Sequence, residues 1–243
     1  MRIPRIHTGQ VLQAESSVDL EPGPSQHLGR ALRMQVGDAL VVFDGRGGEY
    51  PATITAIGKK QVSITTGQLD AREAESPLAI HLGIAISRGD RMDWVVQKAT
   101  ELGVSRITPL LTERTEVKLR GERAAKKQQH WQQVAVSACE QCGRNRIPSL
   151  AEPLLLEPWL EQTRADRKLV LHHRATSASA GAADPHSVAL LIGPEGGLSP
   201  REIRLAEAAG YQSLQLGPRV LRTETAPLAA IALLQSKWGD MPA

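Results

Sequence analysis

The chain has 243 residues, 41% of them hydrophobic, which is enough for one large domain or two smaller ones. Only 3% are aromatic, which argues against a protein that binds RNA mainly by stacking bases on rings. The formal net charge is +3, with a local basic run at 113–127. The two cysteines argue against a disulfide scaffold and fit a reducing compartment. Neither a secretory signal nor an apolar run of membrane-spanning length is visible, so we expect a cytoplasmic protein with no membrane partner.

The N-terminal region, 1–70, contains short elements that predict a small β-barrel. Strand patterns cover 39–43, 49–57 and 61–66. Asp44 and the glycines that follow it predict a hairpin turn after the first of these strands. A single helical pattern covers 25–34. The polar stretch 67–78, which ends in Ser-Pro, is typical of a linker.

After the linker, strands and helices alternate. Strands are predicted at 79–86, 105–111, 168–172, 188–192 and 213–216, and helices at 91–102 and 121–142, with further helices after the last two strands. Alternation of this kind predicts an α/β domain from 77 to 243, built on a parallel sheet covered by helices.

The sequence at 188–210 combines an apolar strand, a glycine-rich turn and a helix start. Ser199 fits the N-cap position, Pro200 the first helical position and Glu202 the capping-box position. Such a turn is either a ligand loop at the carboxyl end of a strand or only a tight strand-to-helix connection. The phosphate-binding loop and the G-x-G-x-x-G fingerprint are both absent, so a ligand here would not be held by its phosphates.

Two further segments follow strands of the same predicted sheet. After the strand at 213–216, a long loop carries Arg222 and Glu224 to a helix start, where Arg222 would pair with Glu224 or reach a phosphate, and Thr225 would cap the helix. The third segment runs from Leu171 through His172. Because parallel strands end at one edge, these three loops are expected to enclose a site.

We expect no metal site. Cys139 and Cys142 have the spacing of half a zinc site, but no second cysteine pair exists to complete it. His172 and His173 are neighbours on a predicted strand, so they would point to opposite faces and could not share a metal.

The segments GPEGGLS and LGPRVLRTETA resemble the cofactor signature of the SPOUT methyltransferases. The similarity to the ribosomal RNA small subunit methyltransferase E family extends over the whole chain. The segments MRIPRI, HLGRALRM, VGDAL and FDGRG resemble that family's N-terminal PUA-like RNA-binding barrel. The segments SRGDRMDWVVQKATELGV, ITPLLTER and ACEQCGRNRIP resemble its catalytic domain.

The resemblance implies a PUA-like β-barrel at 1–70 and a SPOUT methyltransferase domain with a trefoil knot at 77–243. It implies S-adenosylmethionine as cofactor and N3 of a uridine in 16S rRNA, in the small ribosomal subunit, as the methylated atom. It also implies a homodimer whose site both subunits complete. Two alternatives remain open: a SPOUT ribose 2′-O-methyltransferase, and a catalytically silent RNA-binding or ribosome-assembly protein.

The family's site residues carry over onto matching positions. Cofactor binding is implied for Leu171, His172, Ile192, Gly193, Pro194, Glu195, Gly196, Leu216, Gly217, Leu221, Arg222, Thr223, Glu224, Thr225 and Ala226. Arg222 is the candidate for stabilising charge on the uracil, and Glu224 is the candidate base or a partner that orients Arg222. The basic residues expected to bind RNA are Arg2, Arg5, Arg30, Arg33, Arg114, Lys118 and Arg144. Glu140, Gln141 and Arg144 are candidates to enter the site from the second subunit.

Overall fold

A computed structural model describes residues 3–117, 119–172 and 184–241. The chain forms two compact units, Met1–Glu75 with Cys139–Ile147 and Ser76–Ala138 with Pro148–Ala243. No pattern in the sequence indicates that the segment 139–147 leaves its neighbours and joins the N-terminal unit. The domain assignments at 1–70 and 77–243 stay predictions.

The first unit is built on a five-stranded sheet. Its strands are β1 (Arg5–His7), β2 (Ser17–Asp19), β3 (Ala39–Phe43), β4 (Tyr50–Ile57) and β5 (Val62–Thr66). They lie in the order β1-β3-β4-β5-β2, in which β1 and β3 are parallel and the other pairs are antiparallel. The three predicted strands are confirmed, whereas β1 and β2 are too short to leave a periodic pattern.

The helix predicted at 25–34 is wrong in extent and kind. The chain instead forms a short helix α1 (Pro22–Gln26) that continues as a π-helical turn, His27–Ala31. Leu28 is fully buried there. The core of the unit is aliphatic, and alternate residues of β4 and β5, such as Ile54 and Ile64, point into it.

The second unit contains a seven-stranded parallel sheet. Its elements are β6 (Ala79–Ala85), α2 (Arg91–Glu101), β7 (Arg106–Leu111), α3 (Glu122–Cys142), β8 (Ser149–Leu150), β9 (Leu154–Leu155), α4 (Leu156–Gln162), β10 (Arg167–Leu171), β11 (Ser187–Ile192), α5 (Pro200–Ala208), β12 (Gln212–Leu214) and α6 (Thr225–Trp238). The last turn of α3 belongs to the first unit. The parallel sheet and the helices after β11 and β12 are confirmed, although β12 ends at Leu214 rather than at 216.

The strand order β12-β10-β11-β6-β7-β8 sets the position of the site. Strand β6 pairs with β7 on one side and with the much later β11 on the other. The chain therefore leaves the neighbouring strands β6 and β11 in opposite directions, since β6 leads to β7 on one side and β11 leads to β12 on the other. At such a point a crevice opens beyond the carboxyl ends of the strands.

Trp159 packs against the middle of β6 in the core of this unit. A methyl group on Gly83 would overlap the Trp159 ring, so the strand needs a glycine where the indole crosses it. The indole Nε1–H donates to His81 Nε2 at 3.2 Å, and the Thr108 hydroxyl lies 2.8 Å from the same nitrogen. Because an indole N–H only donates, this nitrogen of His81 is the acceptor, and the imidazole is neutral.

We predict that His81 makes the protein sensitive to acid. Burial, with a smaller contribution from the charge of Arg106, lowers the pKa of His81 from 6.5 to about 4. Because the pKa is lower in the folded protein than in the unfolded chain, the free energy of unfolding is highest above pH 6.5. It falls by up to about 3 kcal/mol as the pH decreases towards 4. His81→Gln, which does not titrate, should flatten the decline in urea-unfolding free energy between pH 7 and pH 4. An equally steep decline in the variant would contradict this role.

Glu202 fixes the start of α5. Ser199 Oγ accepts from the Glu202 amide at 3.1 Å and Glu202 Oε2 accepts from the Ser199 amide at 2.8 Å, so the predicted capping box is confirmed. The other carboxylate oxygen accepts from the Glu113 amide at 2.8 Å. Glu202 is only 2% exposed and therefore holds two loops together inside the unit.

We predict that Glu202→Ala destabilises the protein by roughly 2–4 kcal/mol, because it leaves the buried Ser199 amide and the amide of Glu113 without their acceptor. Urea unfolding monitored by tryptophan fluorescence measures the loss. Glu207→Ala, on the exposed face of the same helix, is the matched control and should change stability by less than about 0.5 kcal/mol. Equal effects of the two substitutions would show that the buried network contributes nothing.

Candidate functional site

A cavity of about 780 Å³ lies at the carboxyl edge of the parallel sheet in the second unit. Its walls come from the ends of β10 and β11, from the glycine-rich turn after β11 and from the long loop after β12. The segment after β6 and the loop after β7 contribute Arg88, Arg91, Arg114 and Glu116. The three loops predicted from the sequence to enclose a site thus meet around one cavity.

With the exception of Thr225, every residue that the resemblance assigns to the cofactor lines this cavity. Thr225 is exposed and is the first residue of α6. The expectation that Thr225 caps that helix is wrong, because Glu224 occupies the N-cap position and makes no side-chain capping bond. The imidazole of His172 lies 2.8 Å from Ser213 Oγ, which fixes its orientation against β12.

The glycine-rich turn is compact. A methyl group on Gly193 would come within 2.8 Å of the Leu198 amide, so the turn closes only with a glycine there. The Gly197 amide donates to the Pro194 carbonyl at 2.8 Å. Arg114, from the loop after β7, donates to the Gly196 carbonyl at 2.7 Å and supports the turn from outside.

Charged side chains ring the cavity. Arg91 lies 2.8 Å from Glu195 and 3.8 Å from Glu224, and Arg88 pairs with Glu116. Burial pushes the pKa of Glu195 upwards, but hydrogen bonds from its own amide and the Arg88 amide, together with the Arg91 guanidinium, hold that pKa below its usual range. Glu195 therefore carries a negative charge at neutral pH.

The sequence prediction placed Arg222 beside Glu224, but the ion pair that the structure gives Glu224 is with Arg91. Arg222 is exposed at the cavity wall, and its carbonyl accepts from the amides of Thr225 and Ala226. The sequence analysis did not identify Arg91, although the rule that ligands bind beyond the carboxyl ends of parallel strands would have found it. The segment SRGDR follows the carboxyl end of β6, so it lies at the same sheet edge as the three loops.

The residues predicted to bind RNA fall into separate groups. Arg30 and Arg33 are exposed on the first unit, and Arg114 belongs to the cavity wall of the second. Arg144 is 3% exposed and pairs with Glu75. Arg2 and Lys118 lie outside the described residues.

Arg5, also predicted to bind RNA, is built into the first unit. Its side chain is 9% exposed, pairs with Glu49 and donates to Asn145 Oδ1 at 2.6 Å. Glu140 accepts from the His7 amide at 3.0 Å in the same unit. Arg5 and Arg144 thus have structural partners here, and their contact with RNA stays a prediction, as does entry of Glu140, Gln141 and Arg144 into a neighbouring subunit's site.

Among residues 3–117, 119–172 and 184–241, no group of three or more His, Cys, Asp or Glu side chains is arranged to hold a metal ion. Within the same described ranges, no helix has the length and apolar character needed to cross a membrane.

Two family models match the chain. Residues 74–235 match an RNA methyltransferase domain, and residues 25–66 match an RNA methyltransferase PUA domain. The first match contains the whole cavity wall, and the second contains Arg30 and Arg33. The α/β fold with a parallel-sheet methyltransferase domain and a PUA domain is thereby confirmed.

Relatives and solved structures match over the full length. The ribosomal RNA small subunit methyltransferase E of Buchnera aphidicola from Schizaphis graminum is 37% identical over 99% of this chain and 98% of its own. A Legionella pneumophila protein solved with bound SAM is 44% identical with a TM-score of 0.95, covering 99% of this chain and 100% of that one. The Neisseria gonorrhoeae ribosomal RNA small subunit methyltransferase E bound to S-adenosyl methionine is 38% identical with a TM-score of 0.91, covering 98% and 99%. With these full-length matches, the chain belongs to the ribosomal RNA small subunit methyltransferase E family.

Proposed function

We propose that this chain transfers a methyl group from S-adenosylmethionine to N3 of a specific uridine in 16S rRNA within the small ribosomal subunit. The observation that carries the proposal is the cavity at the sheet edge, where the residues expected to bind the cofactor come together, Thr225 excepted. Support comes from the Neisseria relative, which is 38% identical over 98% of this chain and binds S-adenosyl methionine.

The residues around the cavity suit this cofactor. Leu171, Ile192 and Leu216 supply apolar surface for an adenine ring, and the exposed backbone at Gly217 can offer its amide and carbonyl groups. Glu195 and Glu224 supply negative charge for the ammonium and sulfonium groups. A volume near 780 Å³ is in the range of sites for small molecules and leaves space for a nucleobase beside the cofactor.

The chemistry requires a proton to leave N3, because the protonated nitrogen is a poor nucleophile. S-adenosylmethionine supplies an electrophilic methyl group, which N3 attacks as the carbon–sulfur bond breaks. We assign to Arg222 the stabilisation of negative charge that develops on the uracil carbonyl oxygens. Glu224 is the proposed acceptor of the N3 proton, and the walls of the cavity align the reacting atoms.

Two other functions share parts of this evidence. A ribose 2′-O-methyltransferase would use the same cofactor loops, and a silent RNA-binding or ribosome-assembly protein would keep the fold without the reaction. The full-length similarity to the small subunit methyltransferase E relatives favours the base methylator over both.

We predict that purified protein incubated with labelled S-adenosylmethionine forms 3-methyluridine in small subunits from a strain that lacks this enzyme. Methyl transfer to naked 16S rRNA should be much weaker, and transfer to short oligonucleotides nearly absent, because a chain with 3% aromatic residues is poorly equipped to bind single strands by stacking. Mass spectrometry of the nucleosides identifies the product. A 2′-O-methylated nucleoside would support the ribose enzyme, and no product at all would support the silent protein.

The finer architecture belongs to the same proposal. We assign residues 1–70 to a PUA-like barrel and 77–243 to a SPOUT domain with a trefoil knot, in a cytoplasmic homodimer. The dimer is supported by exposed apolar side chains on two helices that pack on each other. Trp94 on α2 is 50% exposed and Leu233 on α6 is 49% exposed, so both helices of this packed pair present a large apolar side chain to solvent.

We predict that Leu233→Glu shifts the protein from dimer towards monomer, because dimerisation would bury a carboxylate in an apolar interface. Sedimentation velocity at micromolar concentration measures the change. Leu155→Glu, at a position 60% exposed on β9, is the matched control and should leave the dimer intact. A monomeric parent protein, or a dimer insensitive to Leu233→Glu, would contradict the proposed interface.

We predict that Arg30 and Arg33 contact RNA phosphates. The double variant Arg30→Gln/Arg33→Gln should weaken binding to small subunits and flatten the slope of log affinity against log salt by about 0.7 to 0.9 for each lost contact. The control Arg204→Gln removes an exposed charge from α5 and should leave the slope unchanged. A parental slope in the double variant would remove both residues from the RNA interface.

A further inference from the structure

Arg91 stands between two carboxylates from separate loops of the cavity. One of its terminal nitrogens, Nη1, lies 2.8 Å from Glu195 Oε1, and its Nε lies 3.8 Å from Glu224 Oε2. Glu195 belongs to the glycine-rich turn after β11, and Glu224 ends the long loop after β12. One guanidinium therefore faces both loops from the start of a third element, α2.

We propose that Arg91 is a positioning residue that ties the glycine-rich turn to the loop after β12 and so holds the cofactor cavity in its binding shape. The proposal rests on the proposed function and adds to it a residue that acts through Glu195 and Glu224. An arginine suits this task because its planar fork carries several donors in fixed directions, which a lysine ammonium lacks.

The segment that carries Arg91 has a fixed position relative to the turn. It follows β6, which pairs with β11 along the whole of the latter strand. The Arg88 amide also donates to Glu195 Oε1, at 3.3 Å. Two groups of the 88–91 segment thus meet one carboxylate oxygen, and they orient Glu195 before any ligand arrives.

The loop after β12 depends on Arg91 more strongly than the glycine-rich turn does. Residues 215–224 run from the end of β12 to the start of α6, and Val220 within them is 79% exposed. In the part of the chain that the structure describes, the Arg91–Glu224 pair is the only ion pair or side-chain hydrogen bond that attaches this loop.

The missing capping bond at Glu224 also supports the positioning role of Arg91. Glu224 occupies the N-cap of α6, where a side chain ordinarily accepts from the first helical amides, yet it makes no such bond. Its carboxylate faces Arg91 instead. Without Arg91, the loop would have to be ordered when the cofactor binds, and the entropy lost in that step would weaken binding.

The test is a double-mutant cycle on S-adenosylmethionine affinity, measured by calorimetry with full-length protein. Arg91→Gln should weaken binding by about fivefold to tenfold, as expected for two partly exposed ion pairs, and Arg91→Lys should give an intermediate loss. Glu224→Gln should weaken binding in the parent protein and should weaken it by a smaller factor in the Arg91→Gln background, where the ion pair is already lost. Arg204→Gln is the control for loss of one positive charge.

Hydrogen exchange supplies a second readout. Arg91→Gln should speed exchange of the amides between 215 and 226 while leaving those of β6 and β11 unchanged. Additive effects of the two substitutions, or unchanged affinity and exchange in Arg91→Gln, would overturn the proposal. A raised KM for small subunits with unchanged cofactor affinity would also overturn it and would make Arg91 an RNA contact. A parent protein that binds no S-adenosylmethionine would refute the proposed function instead.

Discussion

The parallel pairing of β11 between β6 and β10 is the constraint on which the candidate site depends. It places the end of β6, from the first part of the second unit, beside the end of β11, from the last part. Ile84 pairs with Ile192 in this register. Because all these strands run in one direction, their connections emerge at one edge. The glycine-rich turn, the loop after β12 and the SRGDR segment become neighbours for this reason alone.

Hydrogen bonds between the loops then give the cavity a definite shape. Glu202 connects the loop after β7 to the helix start beyond the glycine-rich turn, and Arg114 connects the same loop to the Gly196 carbonyl. Each bond joins segments that are far apart in the sequence. The loops carry the polar groups of the site, whereas the sheet below them supplies rigidity.

Much of this arrangement was predictable from the sequence. Long apolar strands such as β11 and the capping box at Ser199 have local patterns, and both are confirmed. The helix α4 was missed because it is short and follows β9 without a break. The π-helical turn at His27–Ala31 was missed because it shares its burial pattern with an ordinary helix.

The meeting of the three loops was predictable because each follows a strand, whereas the partners of individual side chains were not. Arg222 and Glu224 are close in sequence, yet Glu224 pairs with Arg91, which only the sheet order brings near. Arg114 is predicted to bind RNA from a charge run, and its bond to the Gly196 carbonyl had no signal in the sequence. Side-chain pairing across distant segments has no local signature, since it depends on topology rather than on composition.

The return of residues 139–147 to the N-terminal unit has a consequence for the order of folding during synthesis. Arg5 donates to Asn145, Arg72 donates to the Gly143 carbonyl, and Glu75 pairs with Arg144. A nascent chain that ends at Glu75 lacks all three partners, so its first unit cannot finish folding until the segment 139–147 has also left the ribosome. The polar stretch after Thr66 therefore lies between two regions of the sequence that do not fold independently of each other.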